Sequence, residues 1–228
     1  MTGWLYPTLT GKKNSWKAIL FYPNTGNVNF NGTSLTKVIF NGTTVWEKQT
    51  SLYLVKNSAL QGCQFLQGWQ LAHGEDNDWY GGQSRVSGIQ AQFINSWAFQ
   101  SVIYLNKLIG SGFNTIHFDI SFTWNEDGDD DCADWADEMV DTDAWMQFGI
   151  TNNPTIPNED DNGPTMLAAS SFSIKTMRNQ SQPQSRSFSC SVVGKSNYYP
   201  CIRFYGDSAD EGGGDNWFFV NLVNVWVD

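Results

Sequence analysis

The sequence predicts an all-β protein, a small N-terminal antiparallel meander followed by a jelly-roll-like β-sandwich. Three observations carry that expectation. Residues Ile116 to Trp124 alternate apolar and polar without interruption, the period of two that marks a strand with one buried face. Two Asn-Gly pairs, at 31–32 and 41–42, each sit between strand-forming runs. Asn-Gly supplies the positive φ that a two-residue type I′ hairpin turn requires. Helical spacing is nearly absent: Cys132 to Val140 alone, with Ala133, Ala136, Met139 and Val140, follows an i, i+3, i+4 pattern, enough for a turn or two.

Taken in chain order, Lys17 to Tyr22 reads as a first strand. Val28-Asn29-Phe30-Asn31-Gly32-Thr33 then recurs ten residues later as Val38-Ile39-Phe40-Asn41-Gly42-Thr43, which predicts a three-stranded meander from about Asn27 to Lys48. So small a sheet buries little by itself and needs a surface to dock on. The module boundary falls between Glu47 and Ser51, giving modules 1–50 and 51–228. Further strands are expected at Ser51 to Lys56, Gln100 to Leu105, Ala144 to Thr151, Ala168 to Thr176, Arg186 to Val193 and Pro200 to Tyr205. The last run, Trp217 to Val227, is apolar on both faces and belongs in the middle of a sheet. About eight such strands separated by long polar loops suit a jelly roll; their order is not legible.

Composition sets the class. The chain has 228 residues, 40% hydrophobic and 15% aromatic with 11 Trp, but only 16% charged, enough apolar material for a real core under a neutral polar surface. The formal net charge is −10, with 13 basic residues that do not cluster beyond Lys12-Lys13. Nucleic acid is thereby disfavoured, because a binder needs Lys and Arg to displace phosphate counterions, and so are anionic membrane surfaces. Neutral glycans fit this balance. The sequence contains no apolar run of bilayer-spanning length, so membrane insertion is not expected. Met1 to Leu20 lacks the continuous apolar stretch of a secretory signal, and an extracellular role then expects another route, such as release of particles by cell lysis.

The cysteines are Cys63, Cys132, Cys190 and Cys201; without CxxC spacing they do not read as a zinc site. A hairpin centred between Lys195 and Ser196 puts Cys190 opposite Cys201, within disulfide reach. Two readings stand, a bonded pair or two small buried thiols.

Acidic residues concentrate between Asn125 and Glu138. Counted from Asp127, the first, third, fifth and twelfth positions of an EF-hand loop are Asp127, Asp129, Asp131 and Glu138, hard oxygen ligands suited to Ca²⁺. Cys132 occupies the position that needs Gly for the sharp turn, so an acidic surface loop is the competing reading. Asn158 to Gly163 opens like such a loop, yet Ala169 replaces its final Glu. The two histidines, His73 and His117, lack a G-x-S-x-G partner, and no E-x-D-x-x-E run selects an acid and a base for glycoside hydrolysis. The expected protein presents a surface and is not an enzyme.

Sugar rings pack their C–H faces on Trp and Tyr, while amides fix the hydroxyls. Trp69, Trp79, Tyr80 and Trp97 fall in a stretch, Gln61 to Phe99, that also carries Gln67, Gln70, Asn77 and Gln83; they form the candidate glycan site. The competing reading is that these rings are core or interface. Tyr198-Tyr199 is a second candidate. The polar face of Ile116–Trp124, bearing His117 and Asp119, is exposed to water or to a ligand.

The string VNFNGTSLTKVIFNGTTVWEK, residues 28 to 48, resembles a short β module of virion proteins from tailed bacteriophages of Gram-positive hosts. There, similar FNGT-x-V and NGTTVW strings occur in tail-fibre, baseplate and other surface proteins. The resemblance covers about a tenth of the chain and brings no catalytic residue. The remainder is similar, in architecture and composition, to carbohydrate-binding-like jelly rolls of phage fibres. What the resemblance implies is a structural virion protein on the particle surface, assembled in the host cytoplasm. As a fibre, decoration or adhesin component, its partners would be other virion proteins, copies of itself (trimers are common) and a host glycan. The hairpins would lie at the interface, with Trp46 or Trp4 between chains. Two alternatives remain: a stand-alone extracellular carbohydrate-binding module, and a sandwich-fold glycan-cleaving enzyme.

Overall fold

The computed structural model describes residues 28–30, 33–35, 37–40, 43–47, 51–72, 83–95, 99–124, 145–157, 163–177, 182–206 and 216–228. The chain divides into two compact units, Met1–Lys48 and Gln49–Asp228. In the first, β1 (Val28–Phe30) pairs antiparallel with β2 (Thr33–Leu35), and β3 (Lys37–Phe40) with β4 (Thr43–Glu47). Phe30 faces Thr33 and Phe40 faces Thr43, a register that fits the hairpins expected there. The run 33–40 divides between two partners, its first half on β1 and its second on β4. The expected three-stranded meander is therefore two short hairpins in separate sheets.

The second unit contains β5 (Leu52–Lys56), β6 (Ala59–Leu60), β7 (Phe65–Ala72), β8 (Gln83–Ser87), β9 (Gln90–Asn95), β10 (Phe99–Leu105), β11 (Thr115–Trp124), β12 (Trp145–Thr151), β13 (Met166–Ser173), β14 (Gln184–Ser191), β15 (Tyr199–Gly206) and β16 (Asn216–Val227). A 3₁₀ turn, Ile174–Met177, is the one helical element among the described residues. The five-stranded sheet runs β13-β12-β15-β10-β7; the seven-stranded sheet runs β14-β11-β16-β5-β6, with β9 also on β16 and β8 on β9. All pairings are antiparallel.

The pairs β5·β16, β10·β15, β11·β14 and β12·β13 nest inside one another along the chain and alternate between the two sheets. That nesting is the jelly roll: one long hairpin, folded over so that successive rungs land on opposite sheets. β7 and the β8–β9 hairpin extend it. Two tight turns support the additions. Asn57 and Ser58 join β5 to β6 with φ of 48° and 60°, and Gly88 opens the β8–β9 turn with φ of 60°, the backbone demanded by primed turns.

Alternation decides which side chains meet between the sheets. Ile116, Phe118, Ile120 and Phe122 of β11 are buried, as are Met146, Phe148 and Ile150 of β12, and Phe218, Val220, Leu222, Val225 and Val227 of β16. Phe148 carries the contact across: its ring lies 4.1 Å from Phe188, 5.9 Å from Phe118 and 6.3 Å from Phe122. Phe93 and Phe204 stack at 4.8 Å near the other end. Aromatic pairs at these separations add to the area term of burial, which is how a sandwich this aromatic locks its two sheets together.

Candidate functional site

Both sheets turn an outer face to solvent, and each face is built of rungs, residues aligned across neighbouring strands. On the five-stranded sheet the first rung reads Ser173, Trp145, Tyr205, Gln100. The second reads Ser171, Gln147, Arg203, Val102. Trp145 and Tyr205 are cross-strand partners whose rings lie 5.3 Å apart and 10° from parallel. At that separation near-parallel rings stack in an offset arrangement, each covering part of one face of the other. The Arg203 guanidinium carbon sits 5.4 Å from the Trp145 ring centre, a cation–π contact, and its Nη2 donates to Gln100 Oε1 at 3.0 Å. Gln147 Nε2 donates to Ser171 Oγ at 3.4 Å, while Gln147 Oε1 is buried without a hydrogen bond. Burial pulls the Arg203 guanidinium below its ordinary pKa, partly offset by Cys201.

Part of this face is covered. Trp69, Val102 and Cys201 are buried yet stand outside the inter-sheet core. The Trp69 N–H donates to Pro154 O at 2.9 Å, and Gly163, with φ of +75°, lies so close that an added Cβ would meet the Trp69 ring at 2.8 Å. Cys201 Sγ approaches Met166 Sδ at 3.6 Å. Segments 152–157 and 163–165 thus form a roof at Trp69, while Trp145 and Tyr205 stay part-exposed as a ledge.

The seven-stranded sheet carries its own aromatic rung: Ser189, His117, Trp226, Tyr53. His117 stacks on Trp226 at 4.5 Å and 7°, and Trp226 on Tyr53 at 5.8 Å and 23°. Lys56 Nζ lies 5.0 Å from the centre of the Tyr53 ring. The opposite end of the row meets Asp228, whose carboxylate is 3.3 Å from His117 Nε2; the contact is close enough for an ion pair, though Nε2 makes no aligned hydrogen bond. One rung further, Asp119 accepts from Ser187 Oγ at 2.7 Å and from Asn224 Nδ2 at 3.0 Å. Beyond it Gln90 Nε2 donates to Asn221 Oδ1 at 2.9 Å.

The sequence-based expectations meet these facts unevenly. Trp69 does lie on the outer side of the five-stranded sheet, but its roof leaves it 9% exposed, so no sugar reaches its face. Trp79, Tyr80 and Trp97, and the candidate calcium ligands Asp127, Asp129, Asp131 and Glu138, lie outside the described residues. So do the Lys17–Tyr22 strand and the Cys132–Val140 helical turn. Cys190 and Cys201 are both free. The hairpin expected to pair them does not form, because β14 joins β11 while β15 joins β10 and β12. Burial raises the Cys190 thiol to about 11 and holds Cys201 further still above its ordinary value. Tyr198 is buried completely, and Tyr199 packs edge-on against Tyr104 at 5.7 Å. Among the described residues no group of acidic, His and Cys side chains could hold a metal ion, and no helix is long and apolar enough to cross a membrane.

Trp145, Tyr205 and Arg203 were missed. Their signal was present: Trp145 and Gln147 alternate with Met146 and Phe148, and Arg203 and Tyr205 with Ile202 and Phe204. A ring and a polar group on the outward side of each run was the clue.

No family model matches the chain, and no curated protein does. Several solved family 29 carbohydrate-binding modules are similar to it at low level. One variant is 11% identical, covering 79% of this chain and 92% of that chain with a TM-score of 0.35. Another, solved with cellulohexaose, is 11% identical over 78% and 90%, with a TM-score of 0.35. A third, solved with mannohexaose, is 12% identical over 77% and 91%, with a TM-score of 0.33. Likeness at this level says nothing of ligand or site here.

Proposed function

We propose that the chain is a glycan-binding module and that a neutral sugar sits on the open ledge of the five-stranded sheet. The carrying observation is the Trp145–Tyr205 rung with Arg203 bonded to Gln100 beside it. The part-exposed outer side of this stacked pair offers an apolar surface to the C–H groups of a pyranose. Gln100 and the Arg203 guanidinium supply hydrogen-bond partners for its hydroxyls in positions fixed by their bond to each other. Fixed polar groups around an aromatic platform discriminate between epimers, because each hydroxyl either meets its partner or leaves it unpaired. The net charge of −10 disfavours acidic glycans through like-charge repulsion. Binding on an array of neutral and acidic glycans, repeated with Trp145→Ala, tests this: neutral ligands should dominate, and the variant should lose them.

A second reading concerns context. The two Asn-Gly hairpins of the separate unit Met1–Lys48, together with their string similar to tailed-phage surface proteins, support a virion component. It would display the sandwich at the particle surface and assemble through copies of itself. Mass in solution tests it: an oligomer is expected, and a monomer at micromolar concentration would contradict it.

A further inference from the structure

We infer that the free edge of β14 is an interface, and that its occupant is β14 of a second copy of this chain, paired antiparallel about a two-fold axis. It uses no residue of the N-terminal unit and none of the ledge. β14 ends the seven-stranded sheet and pairs with β11 alone among the described strands. Just past the strand, Val192 N donates to Asn114 O at 2.8 Å, whereas Thr115 exchanges hydrogen bonds with Asp228, the continuation of β16. Backbone groups of successive residues point to opposite sides of a strand. The β11–β14 register runs from Thr115 with Ser191 to Phe122 with Gln184 without a shift. Gln184, Arg186, Phe188 and Cys190 therefore bond β11, and the N–H and C=O of Ser185, Ser187, Ser189 and Ser191 point away from it. All four serines are exposed. Ser185 O accepts from Arg186 Nη1 at 3.1 Å; among the described residues nothing pairs with the outward groups of Ser187 and Ser189.

The other edges are blunted. β6 has two residues, the Trp69 N–H of β7 is taken by Pro154 O, and the Ser84 N–H of β8 by Gln70 Oε1 at 3.1 Å. β13 shifts register between Ile150 and Thr151 of its neighbour, and its Ser173 O accepts from Thr176 Oγ1 at 2.8 Å. Short edges, bulges, prolines and charged side chains are how sheets avoid edge-to-edge pairing. β14 has eight residues, no proline, no bulge, and serines too short to overhang its edge. Its one charged residue, Arg186, is folded back on Ser185 and Gln184. The strand is also complementary to itself. With Phe188 opposite its counterpart, the outward groups meet as 185 with 191 and 187 with 189, pairs that each exchange two hydrogen bonds. Serine then faces serine, and Arg186 faces the uncharged Cys190, so no like charges oppose. In a chain of net charge −10 this strand carries no acidic residue, so a second copy is not repelled there. The part-exposed Phe188 ring, stacked on Phe148 at 4.1 Å, supplies an apolar centre on the axis. Two-fold pairing is closed, which separates a dimer from a growing aggregate. One strand pair is a small interface, so the dimer is weak and depends on concentration.

Amide hydrogen exchange of the full chain, followed by NMR at micromolar and at sub-millimolar concentration, tests this. The Ser187 and Ser189 amides should exchange quickly when dilute and about ten-fold more slowly when concentrated, while those of Phe188 and Cys190 stay slow in both samples. Ser189→Pro removes an outward N–H and leaves the ladder to β11 intact; it should abolish the concentration dependence at Ser187. Ser189→Lys, which places a charge on the edge, takes its place if circular dichroism shows the proline variant unfolded. Exchange at Ser187 and Ser189 that ignores concentration overturns the inference, and any oligomer still present then belongs to the N-terminal unit. Concentration dependence at Ser187 that survives the folded variant overturns it equally.

Discussion

The two outer faces of the sandwich differ in how the same device is framed. Each sets an aromatic rung across its strands. On the five-stranded sheet Trp145 and Tyr205 stand beside a roof over Trp69, and Val102 and Cys201 of the same face are buried. On the seven-stranded sheet the row from Tyr53 to His117 is bordered by polar rungs that stay part-exposed. One fold thus yields two differently framed faces, and the difference lies in the segments that cross a sheet, not in the sheet itself.

The strongest way to break both faces together is to attack what they share. Phe148 contacts Phe118, Phe122 and Phe188 across the sandwich. Phe148→Ala should cost about 3–5 kcal/mol, read as a lowered midpoint in urea, and loss of order at both faces. To separate them, Gly163→Ala strikes only the roofed face: its φ of +75° disfavours any Cβ, and that Cβ meets Trp69. A cost of about 1–3 kcal/mol is expected, with a change in near-UV circular dichroism. If stability and spectrum stay as in the parent, the roof does not hold Trp69.

High pH probes the thiols beneath the faces. The Cys190 thiol is raised from 9.0 to about 11, and the Tyr198 phenol from 10.0 to about 12, both first by burial. The folded state holds these protons more tightly than the unfolded chain. Their contribution is therefore complete below pH 9 and lost as pH climbs toward 12. Denaturation midpoints should stay level to about pH 9 and then fall, and Cys190→Ala should flatten the first part of the decline. The smallest effect belongs to the open face: Asp119→Asn gives up one of two hydrogen bonds, about 1 kcal/mol. It should leave binding at the Trp145 ledge unchanged.

What the sequence disclosed was local. The alternation of Ile116–Trp124 named the buried residues of β11, and the doubly apolar run at the end named a central strand, since β16 pairs with β11, β5 and β9. Pairing was not legible, because a jelly roll joins strands far apart in sequence, β5 with β16 and β10 with β15. The same blindness produced the Cys190–Cys201 hairpin. Gly194 and Asn197 do adopt positive φ of 73° and 56°, but the turn carries the chain from one sheet to the other instead of back along itself. The β8–β9 hairpin hid in the unpatterned stretch before Phe99, where Gly88-Ile89 makes the turn without an Asn-Gly signal. Trp69 misled for a related reason: exposure depends on what crosses a ring, and Gly163 is distant in sequence. The polar side of β11, by contrast, was recognised as facing water or a ligand, and its His117 and Asp119 stand in the open face.

Affinity of the Trp145→Ala chain for the neutral glycan that the parent binds tests the central claim most directly. A drop of about ten-fold or more, with an unchanged unfolding midpoint, is the predicted result. Undiminished affinity at the ledge in a properly folded variant would contradict the account.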